Sequence, residues 1–262
     1  MKRRVCNVTG LTCSVGIAPV KFLAKIASDL KKPDGLTIIK PQQVGLFIDT
    51  LPIEKVPGVG KVMWGRLHQF GIKTLGDMKR HPEEFIVAKF GRPGKRLIEL
   101  SSGLDHSRVV PSASHKSISS EETLEFNTAS RSVLKDLIIK QSREVARELR
   151  KTCNRAKTVT IKVKYSNFKQ VSRSRTLPEP TRTSETIRRH AVQLLMDMEL
   201  IRNVRLIGVG VSNFVPEHTP VQMGLFKNHT GDSANWEKVD KVIDALADRF
   251  GPNVIRRAGL TS

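Results

Sequence analysis

The residues best suited to chemistry in this sequence point to anion recognition, and they sit in a few short stretches. In LPIEKVPGVGKVMWGRLHQFGI (51–72), two helices flank the turn Pro57-Gly58-Val59-Gly60-Lys61. Backbone N–H groups at the start of the second helix, together with its dipole, form a site matched to a phosphate. Gly58 and Gly60 permit the turn geometry and let a nucleic-acid strand approach closely. Leu51, Val56, Leu67 and the closing Gly71-Ile72 supply an apolar frame, so the spacing predicts a helix-hairpin-helix unit. Such a unit holds DNA backbone without reading sequence.

A second stretch is basic. From 149 to 178 there is no Asp or Glu, while Arg150, Lys151, Arg155, Lys157, Lys162, Lys164, Lys169, Arg173 and Arg175 all fall inside it. Alternation over 158–165 sends Val159, Ile161, Val163 and Tyr165 to one face and Thr160, Lys162 and Lys164 to the other. Arg173 and Arg175 add guanidiniums from the next strand, with Ser172, Ser174 and Thr176 as hydroxyl donors. Val171 and Leu177 share the arginines' nominal face, which implies a bulged or edge strand.

The third stretch is Gln222-Met223-Gly224-Leu225-Phe226, where a glutamine precedes spaced large apolar residues in a polar, proline-containing segment. That pattern suits docking of a short peptide into a partner's hydrophobic pocket. The paired acids Glu83-Glu84 and Glu121-Glu122 have no catalytic neighbours and read as solvated faces. Seven histidines lack metal-ligand spacing, and Cys6, Cys13 and Cys153 form neither a disulfide set nor a CxxC pair. A reducing, cytoplasmic setting without structural zinc is expected.

The elements that position these groups follow from periodicity. A strand is predicted over 11–18, then a helix through Phe22, Leu23, Ile26, Ala27 and Leu30, stopped by Pro33 and Gly35. A brief strand follows at 36–39. Residues 43–104 read as helical pieces separated by glycine turns, and the polar 105–114 as a linker. Beyond it come a strand (115–124), a helix (128–151), two strands (157–165 and 169–177), a helix (184–199) and a strand (203–214). The order β-α-β-β-α-β predicts a ferredoxin-like arrangement. Residues 235–250 form an amphipathic helix with Trp236, Val239, Val242, Ile243, Leu246 and Phe250 on one stripe. The fold class is therefore α+β.

The bulk numbers agree. A chain of 262 residues accommodates two or three small domains, and 45 Lys+Arg against 25 Asp+Glu leave a net charge of +20. That field favours a polyanion. Aromatics make up only 5% of residues, which favours backbone recognition of a duplex over stacking of unpaired bases. No apolar run approaches the ~20 residues of a membrane span, and residues 1–13 lack the apolar core of a signal peptide.

In order, TCSVGIAPVKFLAKIASDLKKPDGL (12–36), VPGVG, KSISSEETL (116–124), SRSRTL (172–177) and VRLIGVGVS (204–212) closely resemble the Y-family DNA polymerases, translesion enzymes, of the DNA polymerase IV type. The resemblance implies the end of a palm (1–39), a helix-hairpin-helix thumb (40–106), a linker (107–114), a little finger (115–215) and a flexible tail (216–262) with a clamp-binding motif. It implies that Lys32 contacts an incoming nucleoside triphosphate. The turn Gly58-Val59-Gly60-Lys61 would lie on primer or template backbone. Lys116, Ser117, Lys162, Lys164, Arg173 and Arg175 would hold duplex DNA, and Gln222, Met223, Leu225 and Phe226 would engage a sliding clamp.

One departure is large. The family's chemistry uses two Mg2+ ions held by an N-terminal aspartate and an Asp-Glu pair upstream of the SVGIA strand. Between Met1 and Ile39 the only acids are Asp29 and Asp34, and both lie after that strand. No catalytic or metal-ligating residue is assigned, and no cofactor is expected on these residues alone. The expected function is the DNA-holding, C-terminal part of a monomeric translesion polymerase, inactive without a palm that carries the carboxylates. The rival is a stand-alone damaged-DNA- and clamp-binding module. An RNA-binding ferredoxin-like protein is disfavoured by the scarce aromatics.

Overall fold

The structure, a computed structural model, describes residues 1–111, 114–217, 219 and 232–251. It divides into two compact units, Met1–Ala113 and Ser114–Ser262.

The first unit opens with α1 (Lys2–Thr9), which buries none of its residues and ends at Gly10 in a left-handed conformation. Only Val5, Cys6 and Val8 in it are apolar, too few to mark a buried face in the sequence. The predicted first strand shortens to β1 (Val15–Ile17), followed by α2 (Lys21–Leu30) and β2 (Leu36–Ile38). β1 and β2 pair in parallel, the crossover that α2 allows. β1 lies so close to α2 that a Cβ at Gly16 would stand 2.2 Å from the Ala24 carbonyl oxygen. Phe22, Leu23, Ile26 and Ala27 are buried as the spacing predicts, whereas Leu30 is exposed.

Helices α3 (Val44–Thr50), α4 (Lys61–Gln69) and α5 (Glu83–Ser101) follow, with 3-10 turns at Ile53–Lys55 and Gly76–Arg80. The expected segments 1–39 and 40–106 do not have separate cores. Phe22, Leu23, Ile26 and Ile39 join Ile48, Ile53, Leu67, Ile72, Ile86 and Leu97 in one cluster. Asp105, in what the sequence presents as linker, accepts the Phe22 backbone N–H at 2.9 Å and the Arg96 guanidinium at 2.9 Å. It caps the first turn of α2, which has no side-chain cap from its own N-cap residue.

In the second unit the element order is as predicted: β3 (Ser117–Thr128), α6 (Arg131–Lys151), β4 (Asn154–Tyr165), β5 (Gln170–Thr181), α7 (Ser184–Met196) and β6 (Val204–Pro216). The four-stranded sheet runs β3-β6-β4-β5 and every neighbouring pair is antiparallel. This corrects the ferredoxin-like expectation, in which the first and third strands hold the centre. Here the second and fourth do. Burial gives the reason: β4 and β6 carry Val159, Ile161, Val163, Ile207, Val209 and Val211 in the core. β3 is polar, and β5 contains Pro178 and Pro180, which lack the N–H a central strand must donate.

Helix α8 (Asp232–Phe250) contains the amphipathic helix expected over 235–250 and is held to the second unit. Its acidic face carries ion pairs to α6 and to Arg182, while Trp236, Ile243 and Leu246 of the apolar stripe are half-buried. Arg150 bonds Asp240 at 3.1 Å and Asp244 at 2.7 Å, and Arg147 bonds Asp248. Arg182 bonds both Glu217 and Glu237. Asp240 also accepts the Ser184 backbone N–H at 2.7 Å and hydroxyl at 2.6 Å, capping α7 from outside. Of the predicted stripe, Val239, Val242 and Phe250 are exposed.

Candidate nucleic-acid interface

The turn before α4 has the geometry of an anion site. Gly58 has φ 98°, the left-handed region that favours glycine, and Gly60 is the extended N-cap of α4. α4 has no side-chain cap, so its first N–H groups face outward together with the positive end of the helix dipole. A Cβ at either glycine would meet nothing within 4 Å, so the surface there is open. Lys61 is exposed beside the turn, and Val59 packs against the core beneath it. The first helix of the predicted pair is only the 3-10 turn Ile53–Lys55. It is fixed by Ile53 N–H to the Lys73 carbonyl at 3.0 Å and Leu75 N–H to the Leu51 carbonyl at 2.8 Å. α4 closes as predicted: Ile72 N–H bonds the Leu67 carbonyl at 3.1 Å and Gly71 N–H the His68 carbonyl at 3.0 Å. This is a Schellman cap with Ile72 buried.

The open face of the second unit's sheet is built in rows across the strands. Register places Ser117, Ser212, Thr158 and Thr176 in one row, and Ser119, Gly210, Thr160 and Ser174 in the next. Then come Glu121, Gly208, Lys162 and Ser172, followed by Thr123, Leu206, Lys164 and Gln170. Hydroxyls, glycines and lysines thus tile a face whose reverse is the apolar core. Gly208 and Gly210 leave a shallow groove of about 200 Å3 between β3 and β4.

Two features of this face were not legible beforehand. Glu121, read as solvated, reaches across Gly208 and pairs with Lys162. Its neighbour Glu122 points to the other face and bonds Lys140 of α6 at 2.8 Å, which raises the lysine's pKa. At the end of the sheet, Phe168 in the β4–β5 turn is exposed, with Lys164 Nζ 5.2 Å and Arg205 Cζ 5.0 Å from its ring centroid.

Arg173 and Arg175 lie on an edge strand, one of the two arrangements that their shared face with Val171 and Leu177 implies. They register opposite Ile161 and Val159, so they emerge on the helix side of the sheet. β5 shows no bulge between 170 and 176 that would turn them toward the lysines. Because β5 is an edge, they remain exposed there, and Arg175 lies 3.4 Å from Asp197. Lys116 is exposed just before β3, and Ser117 opens the strand. Gln222, Met223, Leu225 and Phe226 lie outside the described residues.

Lys32, the expected triphosphate contact, is exposed and pairs with Asp29 one turn earlier. The hydrogen bond and charge of Lys32 hold the Asp29 carboxyl below its ordinary range. Asp34 pairs with Lys2 at 3.0 Å. The two acids of residues 1–39 are thus each paired with a separate lysine on the surface. Among the described residues, no group of three or more His, Cys, Asp or Glu is placed to hold a metal. None of their helices is long and apolar enough to cross a membrane.

The comparisons with known proteins agree with this architecture. The model of the impB/mucB/samB family C-terminal domain matches residues 115–225, and that of the impB/mucB/samB family matches residues 1–29. DNA polymerase IV of Methanoculleus marisnigri is 46% identical over 212 residues, covering 81% of this chain and 59% of that protein. DNA polymerase IV of Desulfatibacillum aliphaticivorans is 37% identical over 263 residues, covering 100% of this chain and 66% of that protein. The chain therefore spans less than two thirds of the length of these relatives. Among solved structures, a Y-family polymerase chimera of Dbh and Dpo4 matches with a TM-score of 0.70 at 28% identity, covering 82% of this chain and 62% of that one. An insertion ternary complex of Dbh DNA polymerase matches with a TM-score of 0.50 at 26% identity. By sequence and by fold, the chain belongs to the Y-family DNA polymerases, with DNA polymerase IV as its kin.

Proposed function

We propose that these 262 residues are the DNA-holding portion of a translesion DNA polymerase. On this reading 1–39 belong to a palm, 40–106 to a thumb and 115–215 to a little finger. The observation that carries the proposal is the open sheet face, where hydroxyls and lysines stand over a glycine lane with the core sealed behind it. A flat face of small donors and cations suits sugar and phosphate and gives no base-reading side chain a privileged position. The turn Gly58-Val59-Gly60-Lys61 supports it with a second backbone-binding element. Metal-dependent nucleotidyl transfer would draw its carboxylates from a palm segment other than the residues described, and Lys32 would meet the triphosphate once released from Asp29. Gln222, Met223, Leu225 and Phe226 would recruit a sliding clamp, and the assembly would act as a cytoplasmic monomer.

The test is anisotropy of a labelled primer-template across a salt series, paired with primer extension in Mg2+ and dNTPs. Tight, steeply salt-dependent binding is expected, without extension by this chain alone and with extension once a palm bearing the carboxylates is supplied. Binding insensitive to salt would overturn the role of the basic face. A second reading, a non-catalytic damaged-DNA- and clamp-binding module, is favoured by the lack of any Asp or Glu in residues 1–28. It predicts no extension even with the palm supplied.

A further inference from the structure

Glu121 is out of place on a face suited to a polyanion. Register explains how it fits: Glu121 of β3 and Lys162 of β4 both stand opposite Gly208 of β6. The two outer side chains can meet only because the strand between them carries no side chain. A Cβ on Gly208 would lie 2.6 Å from Glu121 Cγ. Both partners are partly open to solvent, at 30% for Glu121 and 34% for Lys162. The pair also lines the groove, so a ligand lying along the face meets it directly.

An ion pair this exposed contributes little to folding, on the order of 1 kcal/mol or less. It does change what the face offers a ligand. Lys162 is the one cation of its row, and without a ligand its charge is answered by a carboxylate. Lys164, one row away, lies over the Phe168 ring, which leaves its charge available.

We propose that Glu121 is an exchangeable counter-ion: it holds Lys162 when the face is empty and is displaced by a backbone phosphate when duplex DNA docks. The exchange swaps one Lys–anion contact for another, so Lys162 adds little net affinity and the repelled carboxylate speeds release. Loose binding of duplex DNA is the result. This inference rests on the sheet face being a nucleic-acid interface.

The test compares the full chain with Glu121→Gln, Lys162→Met and the double variant, using anisotropy of a labelled primer-template over a KCl series. Glu121→Gln is expected to bind roughly 3- to 10-fold more tightly, with the log–log salt slope steeper by about 0.9, because no freed carboxylate takes up a cation as the phosphate releases one. In the Lys162→Met background the same change should gain much less. Thermal unfolding reports whether each variant is folded. The counter-ion role is overturned if Glu121→Gln binds no more tightly, or if its gain is the same in both backgrounds, the signature of simple repulsion. If the parent chain itself binds without salt dependence, the interface reading falls and this inference falls with it. A parent that binds with normal salt dependence and an unchanged Glu121→Gln overturn the inference alone.

Discussion

Arg150 of α6 grips Asp244 of α8 through two parallel hydrogen bonds, Nε to Oδ2 at 2.7 Å and Nη2 to Oδ1 at 2.9 Å. Its remaining nitrogen reaches Asp240 at 3.1 Å and the Arg182 carbonyl at 3.0 Å. The guanidinium is 9% exposed, so these contacts are little screened by solvent. Removing one partner leaves the others buried without an answering charge. Arg150→Met is therefore expected to cost roughly 3–5 kcal/mol and to release α8. Urea unfolding measures the first effect, and hydrogen exchange along 236–250 the second. Unchanged protection there would show that α8 is held by something other than these ion pairs.

Acid should weaken the first unit through Asp105. Burial alone would push its carboxyl up, but the Ser107 hydroxyl, the Arg96 guanidinium and the N–H groups of Ser107 and Phe22 outweigh it and hold it far below the usual carboxylate range. Because the folded value is depressed, the stabilisation is fully present above the unfolded value of about 3.9 and disappears as pH falls toward the folded one. Asp105→Asn is expected to lose about 1–3 kcal/mol at pH 7 and to flatten the stability profile below pH ~4. Unfolding curves of both proteins from pH 7 to pH 3 check this. Parallel profiles would remove Asp105 from the account.

The two glycines of the α4 turn should separate folding from binding. Gly58 sits at φ 98°, so Gly58→Ala forces a side chain into the left-handed region at a cost of about 1–2 kcal/mol. Gly60 is extended with open space around its Cα, so Gly60→Glu should leave stability unchanged. Its carboxylate would stand where a phosphate is expected, and DNA affinity should fall on the order of tenfold. Thermal melts and anisotropy of the two variants make the comparison. An unaltered affinity for Gly60→Glu would remove this turn from the interface.

Gly208→Val probes the lane itself. The added side chain meets Glu121 and the Ser120 carbonyl, at 2.6 and 3.1 Å for the Cβ alone, so β3 must shift away from β6. A loss of roughly 1–3 kcal/mol is expected, together with weaker DNA binding. Gly210→Ala faces a softer contact, 3.2 Å to Ser119 Cβ, and should cost less. An equal cost at both positions, read by thermal denaturation, would contradict the close approach at Gly208.

The second unit was legible where periodicity had a single answer. Val159, Ile161 and Val163 alternate cleanly, and Ile187, Ala191 and Leu195 recur at helical spacing; all six are buried. Strand order was not legible, because alternation assigns faces but not neighbours. The prolines of β5 were the missed clue. Alternation puts Arg173 and Arg175 on the face of Val171 and Leu177, and only register, a property of pairs of strands, shows that this is the helix side of the sheet. Glu121 and Lys162 are 41 residues apart, so only the folded sheet shows that they meet. Asp105 looked like linker because capping from a distance leaves no local pattern. α8 was found from its apolar stripe, yet it docks through Glu237, Asp240, Asp244 and Asp248, whose spacing of three and four residues marks an equally regular face.

A long open sheet edge is where copies of a chain ordinarily add to one another, strand upon strand. β5 is such an edge, 12 residues long. Pro178 and Pro180 remove donors from its final third, and Arg173 and Arg175 place like charges against any second copy approaching the rest. The composition that confines β5 to the rim thus also guards this edge against strand addition.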